Sequence, residues 1–506
     1  MRKLLLASAA MLSATMGLAG VASAQGTPWA TVNTAPSGSV TPLPVLGSAG
    51  APGTAIPGFG PPLSPGEVTV RLGGRLVAYG GVGADSGQHP GYLSATSAQI
   101  AHGTYNATTN PLGATAANTK LASYGIGEYA RLYPSIDGLA ANGLKYGAFL
   151  EIRADAGVAP GGGLNGSVSG ATATRGDLYY RRETAYLGTD NLGFLRIGAT
   201  DQPTSLFITG TFENFDDAGW NAQIAGGNAS FPTTTGSLPV YPFPDVGALY
   251  TTNKIVYLSP KFADLVDFGV SFAPDSGNTN PTIGACTYAN TATAVCCDTT
   301  SSTSVSGENK RTRNTVDGVV RLRTATGPVG IAATAGGIYS GVVAYNGTSA
   351  NTVVPQYNGL AVFDGGLQVT YGGFAIGGHI DYGEFNTSWT PQPKGGRDAL
   401  AWIVGTSYQF GSAVVGISYF NVQNPGSWST VTSGAVGRTF NQSGLAAGGT
   451  LTLAPGLYTF LSYLYGDKHQ AGVDLLTGVA GSAAAPIVTH NNVQAQSLVL
   501  GTRVAW

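Results

Sequence analysis

Residues 144–154 have the sequence LKYGAFLEIRA, and this alternation of apolar and charged side chains decides the fold class. In an extended strand, Leu150 and Ile152 share one face, whereas Glu151 and Arg153 share the other. A charged side chain that faces lipid near the bilayer midplane costs roughly 2–4 kcal/mol. We therefore expect the charged face to line enclosed water and the apolar face to meet hydrocarbon, which is the arrangement of a membrane-spanning barrel.

Stretches with the same alternation recur over residues 67–506, separated by long polar connections and short turns in strict alternation. The predicted strands are 68–80, 124–133, 144–154, 178–188, 194–199, 253–258, 265–273, 313–324, 329–340, 360–371, 374–385, 398–410, 412–423, 444–453, 457–465 and 494–506. Bacterial membrane barrels have an even number of antiparallel strands, with long loops outside and short turns in the periplasm. The sequence therefore predicts an all-β, 16-stranded antiparallel transmembrane β-barrel over residues 67–506.

The composition agrees with a membrane barrel. Charged residues make up 10% of the chain, against roughly 25% in a usual soluble domain. After the N-terminus, no stretch approaches the roughly 18 uninterrupted apolar residues that a spanning helix needs. The net charge of −2 gives no reason to expect a nucleic-acid partner.

Two segments precede the predicted barrel. Arg2 and Lys3 come before an apolar stretch that ends in the small-residue cleavage site Ala22-Ser23-Ala24. Residues 1–24 are therefore interpreted as a secretory signal peptide, in preference to an N-terminal membrane helix. Residues 25–66 contain no charged side chain and are rich in Pro and Gly, which predicts a disordered or periplasmic leader.

The sequence offers little chemistry for catalysis or metal binding. Cys286, Cys296 and Cys297 lie in one predicted loop, and we favour a disulfide between Cys286 and one of the adjacent pair over a metal site, because no histidine lies nearby. The five histidines are scattered; His379 falls on a lumen face, where a hydrated wall position is favoured over a ligand. Motifs for nucleophilic, zinc-dependent or phosphate-binding chemistry are absent. We expect no enzymatic activity, no cofactor and no metal.

Two pairs of charged residues do not fit a regular strand. Glu128 and Arg131 are three residues apart, and Arg181 and Arg182 are adjacent, so one member of each pair would leave the lumen. A bulge, a position near the membrane interface or burial at a subunit contact would each resolve the conflict. Glu183 is expected on the inward face beside Arg181.

Aromatic side chains cluster toward the predicted strand ends, which is typical of the belts that membrane proteins place at headgroup level. The residues expected in these belts are Tyr129, Tyr133, Tyr179, Tyr180, Tyr186, Tyr408, Phe410, Tyr463, Tyr465 and Trp506.

Three segments resemble the general, non-specific porins of Gram-negative bacteria, of the alphaproteobacterial type. Residues 182–198 (RETAYLGTDNLGFLRIG) resemble the strand, turn and strand before the family's constriction loop, and residues 253–263 (NKIVYLSPKFA) resemble the segment after it. Residues 498–506 (LVLGTRVAW) resemble the C-terminal strand whose last aromatic residue, here Trp506, is recognised by the barrel-assembly machinery. The resemblance implies a homotrimer in the outer membrane, in contact with lipid and lipopolysaccharide, that passes small hydrophilic solutes and ions by passive diffusion.

The family folds its third long loop into the barrel, where acidic side chains face a basic wall. In this chain Glu213, Asp216 and Asp217 on the third loop resemble the acidic tip. Candidates for the basic wall, chosen by strand parity, are Arg71, Arg75, Arg153, Arg181, Arg196 and Arg321, of which Arg153, Arg181 and Arg196 are favoured. Opposed charges across a narrow channel produce a transverse field. Ala199 stands where the family often has a further basic residue, which leaves the preference for cations or anions open.

Two other functions remain possible on the sequence alone. One is a substrate-selective outer-membrane channel for sugars or carboxylates, which saturable block of the conductance by one class of solute would reveal. The other is a secreted β-rich surface protein without a pore, which would not conduct ions across a bilayer.

Overall fold

The computed structural model is a closed barrel of sixteen antiparallel strands, each paired with its neighbours in sequence, as the alternation predicted. The structure describes residues 65–85, 124–155, 179–210, 220, 252–275, 303–304, 312–342, 344–345, 357–386, 389–392, 394–426, 439–475, 479–480 and 491–506. The strands are β1 (Val68–Asp85), β2 (Tyr124–Leu139), β3 (Lys145–Asp155), β4 (Tyr179–Thr189), β5 (Gly193–Ala199), β6 (Asn253–Leu258), β7 (Val266–Asp275), β8 (Thr312–Thr326), β9 (Val329–Val342), β10 (Ala361–Tyr371), β11 (Phe374–Glu384), β12 (Ala399–Phe410), β13 (Ala413–Asn424), β14 (Phe440–Ala454), β15 (Leu457–His469) and β16 (Asn492–Ala505).

The barrel closes where β1 pairs with β16, with Arg75 opposite Ala505. Beyond the last paired strand residue, Trp506 and Gly74 exchange two backbone hydrogen bonds of 3.1 Å each. Both ends of the barrel domain therefore lie at the same rim as the short turns, which is the periplasmic rim of such barrels.

Little regular structure lies outside the barrel wall in the described part of the chain. Two short pairings join Thr303–Ser304 to Ala344–Tyr345 and Val473–Asp474 to Val479–Ala480, all within long connections. The described helix is a single turn, α1 (Pro203–Leu206), in the third long connection. Within these residues, no helix has the length and apolar character needed to cross a membrane.

The predicted turn after the second strand is wrong. Residues 134–138 were expected to form it because Pro, Ser, Asp and Gly favour turns, but β2 continues to Leu139 and the turn lies at residues 140–143. Pro134 fits in the strand because the β2–β3 ladder is interrupted there, stepping from the Leu132–Ile152 pair to the Ser135–Phe149 pair. A proline has no backbone N–H to donate, so it is tolerated where the ladder has no bond to lose.

The two faces of the wall differ in polarity in the predicted sense. Large apolar side chains on the outer face are open to the surroundings, as shown by Val70 and Leu72, which are 72% and 63% exposed. Charged side chains on the inner face are covered, as shown by Arg75 at 8% and Arg153 at 5%. Outward apolar rows and inward charges suit a barrel that has lipid outside and water within.

Aromatic belts are present, but three of the tyrosines expected in them are not part of them. Tyr129, Tyr133 and Tyr186 point inward, because each shares strand parity with buried residues of the inner face. At the short-turn rim, the Phe374 and Tyr408 rings lie 4.7 Å apart on the outer face. The outward aromatic residues of the predicted set are Tyr180, Tyr408, Phe410, Tyr463, Tyr465 and Trp506, and the Tyr179 side chain lies outside the described ones.

Candidate functional site: the inner wall and the third loop

A β-bulge between β3 and β4 brings two adjacent arginines to the same face. Glu151 pairs with Arg182 and Ile152 pairs with Tyr180, so Arg181 has no residue opposite it. Both guanidinium groups reach the Glu151 carboxylate, with Arg181 Nη1 at 3.4 Å from Oε2 and Arg182 bonded to the same oxygen. The bulge, one of the three alternatives for this pair, is therefore the one that the structure contains.

The bulge also reverses the expected side of the next residue. Glu183 was expected to face inward, but it lies on the outer face and is exposed. The extra residue at Arg181 shifts the parity of the strand by one, so the residue after the bulge moves to the opposite face.

Glu128 and Arg131 lie on opposite faces of a regular strand. The pairing of β2 with β1 has no break between them, so they face opposite sides. Arg131 is buried on the inner wall and Glu128 is exposed on the outer face. Glu128 lies near the loop-side end of β2, where a charge on the lipid face costs only about 0–1 kcal/mol.

Three arginines form a row at one height across β1, β2 and β3. Arg75 is directly opposite Arg131, and Arg131 is directly opposite Arg153. Like charges placed opposite each other repel, but Arg75 and Arg131 both lie over the Tyr129 ring, with their Cζ atoms 5.4 Å and 5.0 Å from the ring centroid. Glu151 Oε1 lies 2.5 Å from Arg153 Nε. A ring face and a carboxylate therefore hold the row together.

The buried charges of β1–β11 fall into two regions of opposite excess, a basic half on β1–β6 and an acidic half on β7–β11. Among the described residues of β1–β6 and the adjoining start of the third loop, the basic residues that are buried or nearly so are Arg75, Arg131, Arg153, Arg181, Arg182, Arg196 and Lys254, and the buried acids are Glu151 and Asp201. Seven positive and two negative charges leave an excess of five. On β7–β11, the described buried acids Asp267, Asp317, Asp364 and Asp381 outnumber the two arginines, Arg321 and Arg323, by two. Opposed charges on the wall of a narrow channel produce a transverse field.

The third loop, residues 200–252, is joined to the wall at its base. Lys254 Nζ donates hydrogen bonds to the Thr200 carbonyl at 2.8 Å and to the Thr252 carbonyl at 3.0 Å. Arg182 Nη2 lies 2.8 Å from the Asp201 carboxylate. One lysine thus links the two ends of the loop, and one arginine links its start to β4.

Helix α1 packs against the inner face of β8. The Thr204 backbone N–H donates to Asp317 Oδ1 at 3.2 Å, and the Thr204 hydroxyl donates to Oδ2 of the same carboxylate. Three residues after Thr204, the centroid of the Phe207 ring lies 3.8 Å from Cζ of Arg321, whose nitrogens donate to both carboxylate oxygens of Asp267. The start of the loop is therefore fixed by one carboxylate and one guanidinium of the wall.

Beyond the helix, the loop continues along the wall. His379 Nδ1 lies 2.9 Å from the Thr209 carbonyl oxygen. Gly210 has φ +82°, and a Cβ there would lie 2.2 Å from the Gly378 carbonyl oxygen. Further along, Trp220 meets the Phe420 ring edge-on at 6.0 Å. The described part of the loop thus contacts the inner face from β8 to β13.

The predicted wall residues all lie on the inner face, but in different surroundings. Arg75, Arg153, Arg181 and Arg196 belong to the basic half, and Arg71 pairs with Asp137 nearer the short-turn rim. Arg321 lies beneath the loop. The acidic residues Glu213, Asp216 and Asp217, and the cysteines Cys286, Cys296 and Cys297, lie outside the described residues.

Several residues of the site were not singled out from the sequence. Lys254, Asp364 and Trp220 were missed as contacts of the loop or members of the wall, and Arg131 was left unassigned. Inward strand parity was the available signal for the first two. Trp220 lies in a connection, and parity says nothing about connections.

The sequence matches the family model of the Gram-negative porins over residues 7–471. This chain belongs to the Gram-negative porin family. Porins are channels of the bacterial outer membrane through which solutes diffuse passively, and the family favours this role over that of a poreless surface protein.

Solved structures to which this porin is similar include other bacterial porins. The anion-selective porin from Comamonas acidovorans has 17% identity and a TM-score of 0.44, covering 87% of this chain and 100% of that chain. OmpT of Vibrio cholerae has 11% identity and a TM-score of 0.44, covering 87% of this chain and 99% of that chain. Comparison with curated proteins gave no match. The family assignment therefore rests on the family model.

Proposed function

We propose that this porin is a general diffusion channel that selects small hydrophilic solutes and ions by size and charge and has no catalytic activity. The observation that carries the proposal is the separation of charge on the inner wall, with an excess of five positive charges among the described, covered residues of β1–β6 and the start of the third loop. The acids Glu213, Asp216 and Asp217 on the third loop are proposed to face this half across the lumen. Between opposed charges, water and dipolar solutes are oriented by the field, whereas an apolar solute would lose hydration without compensation.

Within this mechanism, the arginines have different roles. Arg153, Arg181 and Arg196 are proposed to set the field at the constriction, together with Arg75 and the row member Arg131. Arg71 contributes less, since Asp137 neutralises it. Arg321 is proposed to hold the loop and not to face it, because its guanidinium is committed to Asp267 and Phe207.

Assembly and export are proposed from the sequence and its resemblance. Residues 1–24 would be removed on export, residues 25–66 would form a periplasmic leader, and Trp506 would be recognised by the barrel-assembly machinery. The mature chain would form a homotrimer among lipid and lipopolysaccharide. The outward carboxylate of Glu183, near the middle of β4, supports a subunit contact that shields it from hydrocarbon. Light scattering in detergent should give the mass of three chains, and a monomer would contradict this.

The function is tested by recording single channels in planar bilayers with a potassium chloride gradient. We expect stable conductance, and a reversal potential that moves toward cation preference in the double variant Arg131→Gln, Arg153→Gln, because two positive charges leave the basic half. Arg397→Gln, at an exposed arginine, is the matched control and should leave the reversal potential unchanged. Absence of conductance from correctly folded protein would overturn the proposal.

The substrate-selective alternative is separated by titration with solutes. A general channel should show no saturable block by simple sugars or small carboxylates. Saturable block confined to one of these classes would replace the general channel by a selective one.

A further inference from the structure

We propose that Asp364, His379 and Asp381 form a binding site for a divalent metal ion of the zinc type on the inner wall. Asp364 on β10 is directly opposite Asp381 on β11, and His379 precedes Asp381 by two residues on the same face. One ligand atom from each of the three side chains can be chosen so that all lie within 4.8 Å of one another. No metal was expected from the sequence, in which Asp364 is separated from His379 and Asp381 and joins them only through the pairing of two strands.

The cluster places two carboxylates and one imidazole together in a buried position on the inner wall. All three side chains are buried, and two carboxylates placed directly opposite each other repel. Glu151 on the other half of the wall is surrounded by arginines, and Asp267 has two. In the described part of the chain, by contrast, the basic group paired with Asp364 and Asp381 is His379 alone.

The surroundings of Asp381 give the most direct evidence for a bound cation. Its side chain is fully buried, and among the described residues neither carboxylate oxygen accepts a hydrogen bond. Oδ1 lies 3.5 Å from His379 Nε2, which is too far for a good hydrogen bond. A buried carboxylate without a donor is costly, and a cation bound between Asp381 and its neighbours would remove that cost.

His379 is oriented with Nε2 toward the two carboxylates. Its Nδ1 lies 2.9 Å from the Thr209 carbonyl oxygen, which can only accept, so Nδ1 carries the hydrogen. Histidines that bind metals through one nitrogen usually donate the other N–H to such a carbonyl or to a carboxylate. Nε2 then faces Asp364 Oδ2 at 2.8 Å and Asp381 Oδ1 at 3.5 Å.

These spacings are close to those of a zinc site. Zinc–nitrogen and zinc–oxygen bonds of about 2.0–2.1 Å in a tetrahedron hold ligand atoms about 3.3 Å apart. The distance of 3.5 Å from His379 Nε2 to Asp381 Oδ1 is close to this value. The distance of 2.8 Å from Nε2 to Asp364 Oδ2 would need to increase by about half an ångström. Water from the lumen would supply the fourth ligand, as in zinc sites with three protein ligands.

The donor set selects the class of ion. Calcium and magnesium favour sites made of oxygen alone, and soft ions favour thiolates, whereas one imidazole with two carboxylates suits a borderline divalent ion. Two positive charges neutralise both carboxylates. A metal here would also fix the Thr209 carbonyl through Nδ1, and so hold the third loop on the wall.

The test is metal analysis of the untagged, detergent-purified full chain after treatment with a chelator and equilibration with micromolar zinc. We expect about one zinc ion per chain in the unaltered protein, loss of that ion in His379→Gln and in Asp381→Asn, and retention in His469→Gln. His469 is an exposed histidine at the end of β15 and serves as the matched control. Heat-modifiable migration on gels confirms that each variant forms a barrel.

The outcomes separate cleanly. Folded unaltered protein that takes up no zinc, or zinc retained in full by His379→Gln, overturns the metal site. If both variants fail to fold, anomalous scattering at the zinc edge from soaked crystals decides, since the peak must lie between the three side chains. The conductance of the same preparation tests the proposed function separately from the metal site. If the protein conducts normally but binds no zinc, the metal site is rejected and the diffusion channel still stands.

Discussion

Glu151 shows how single residues decide the chemistry of the wall. Its carboxylate is fully buried, and the guanidinium groups of Arg153, Arg181 and Arg182 lie within 3.4 Å of it, with Arg131 at 4.0 Å. Strand parity placed Glu151 and Arg153 inside correctly from the sequence. It could not place both Arg181 and Arg182, because a bulge depends on which residues of the neighbouring strand are opposite, and the local sequence does not contain that information.

At this scale we predict that Glu151→Gln destabilises the barrel by about 3–5 kcal/mol, since the surrounding arginines lose the charge that balances them. Unfolding by urea in detergent micelles, followed by tryptophan fluorescence, gives the free energy. Glu128→Gln is the matched control, because that carboxylate is exposed on the outer face, and it should change stability by less than about 1 kcal/mol. Equal effects of the two substitutions would show that the arginine cluster does not need Glu151.

The strands could be predicted from the sequence more completely than the contacts of the third loop. Fifteen of the strands were predicted within a few residues of their ends, because alternation with period two is a local property of the chain, and β2 was cut short because Pro134 imitates a turn. The third loop was expected inside the barrel from resemblance alone. Its contacts, such as Thr204 with Asp317, join residues far apart in sequence and follow no period.

Gly210 allows a prediction about the loop as an element. A methyl group there would lie 2.2 Å from the Gly378 carbonyl oxygen, so Gly210→Ala should push the loop away from β11 and change the single-channel conductance. Gly395→Ala is the matched control: Gly395 has φ +80°, and a Cβ there would meet nothing within 4 Å. The control should show only the backbone strain of about 1 kcal/mol and an unchanged conductance. The same conductance in both variants would mean that this contact does not set the width of the lumen.

At the scale of the whole molecule, the junction of β1 and β16 completes the wall. The Trp506 ring covers Gly74 on the outer face, where a Cβ would lie 2.4 Å from Trp506 Cζ2. Closure was predictable as a principle, since an open sheet edge is not tolerated in lipid. The register of the two strands was not, because nothing in either strand alone specifies its distant partner.

We predict that Gly74→Ala lowers the yield of folded barrel several-fold, because the terminal ring is displaced from the junction. Gly80→Ala on the same strand is the control, as the nearest atom to its added Cβ is 3.6 Å away. Refolding into detergent, with the heat-modifiable band as readout, measures both. A normal yield from Gly74→Ala would show that the junction tolerates a displaced tryptophan.

The pairing of Arg75 with Ala505 has a further consequence for biogenesis. The first and last strands of the sheet pair with each other, and almost the whole barrel sequence separates them. Until the final segment arrives, the N-terminal border has a row of amide and carbonyl groups that hydrocarbon cannot solvate. A sheet that lacks its last strand is therefore not stable in the bilayer. Passage into the membrane and sealing of the cylinder must coincide, so a chain that lost its final strand would stay in the periplasm with two adhesive edges.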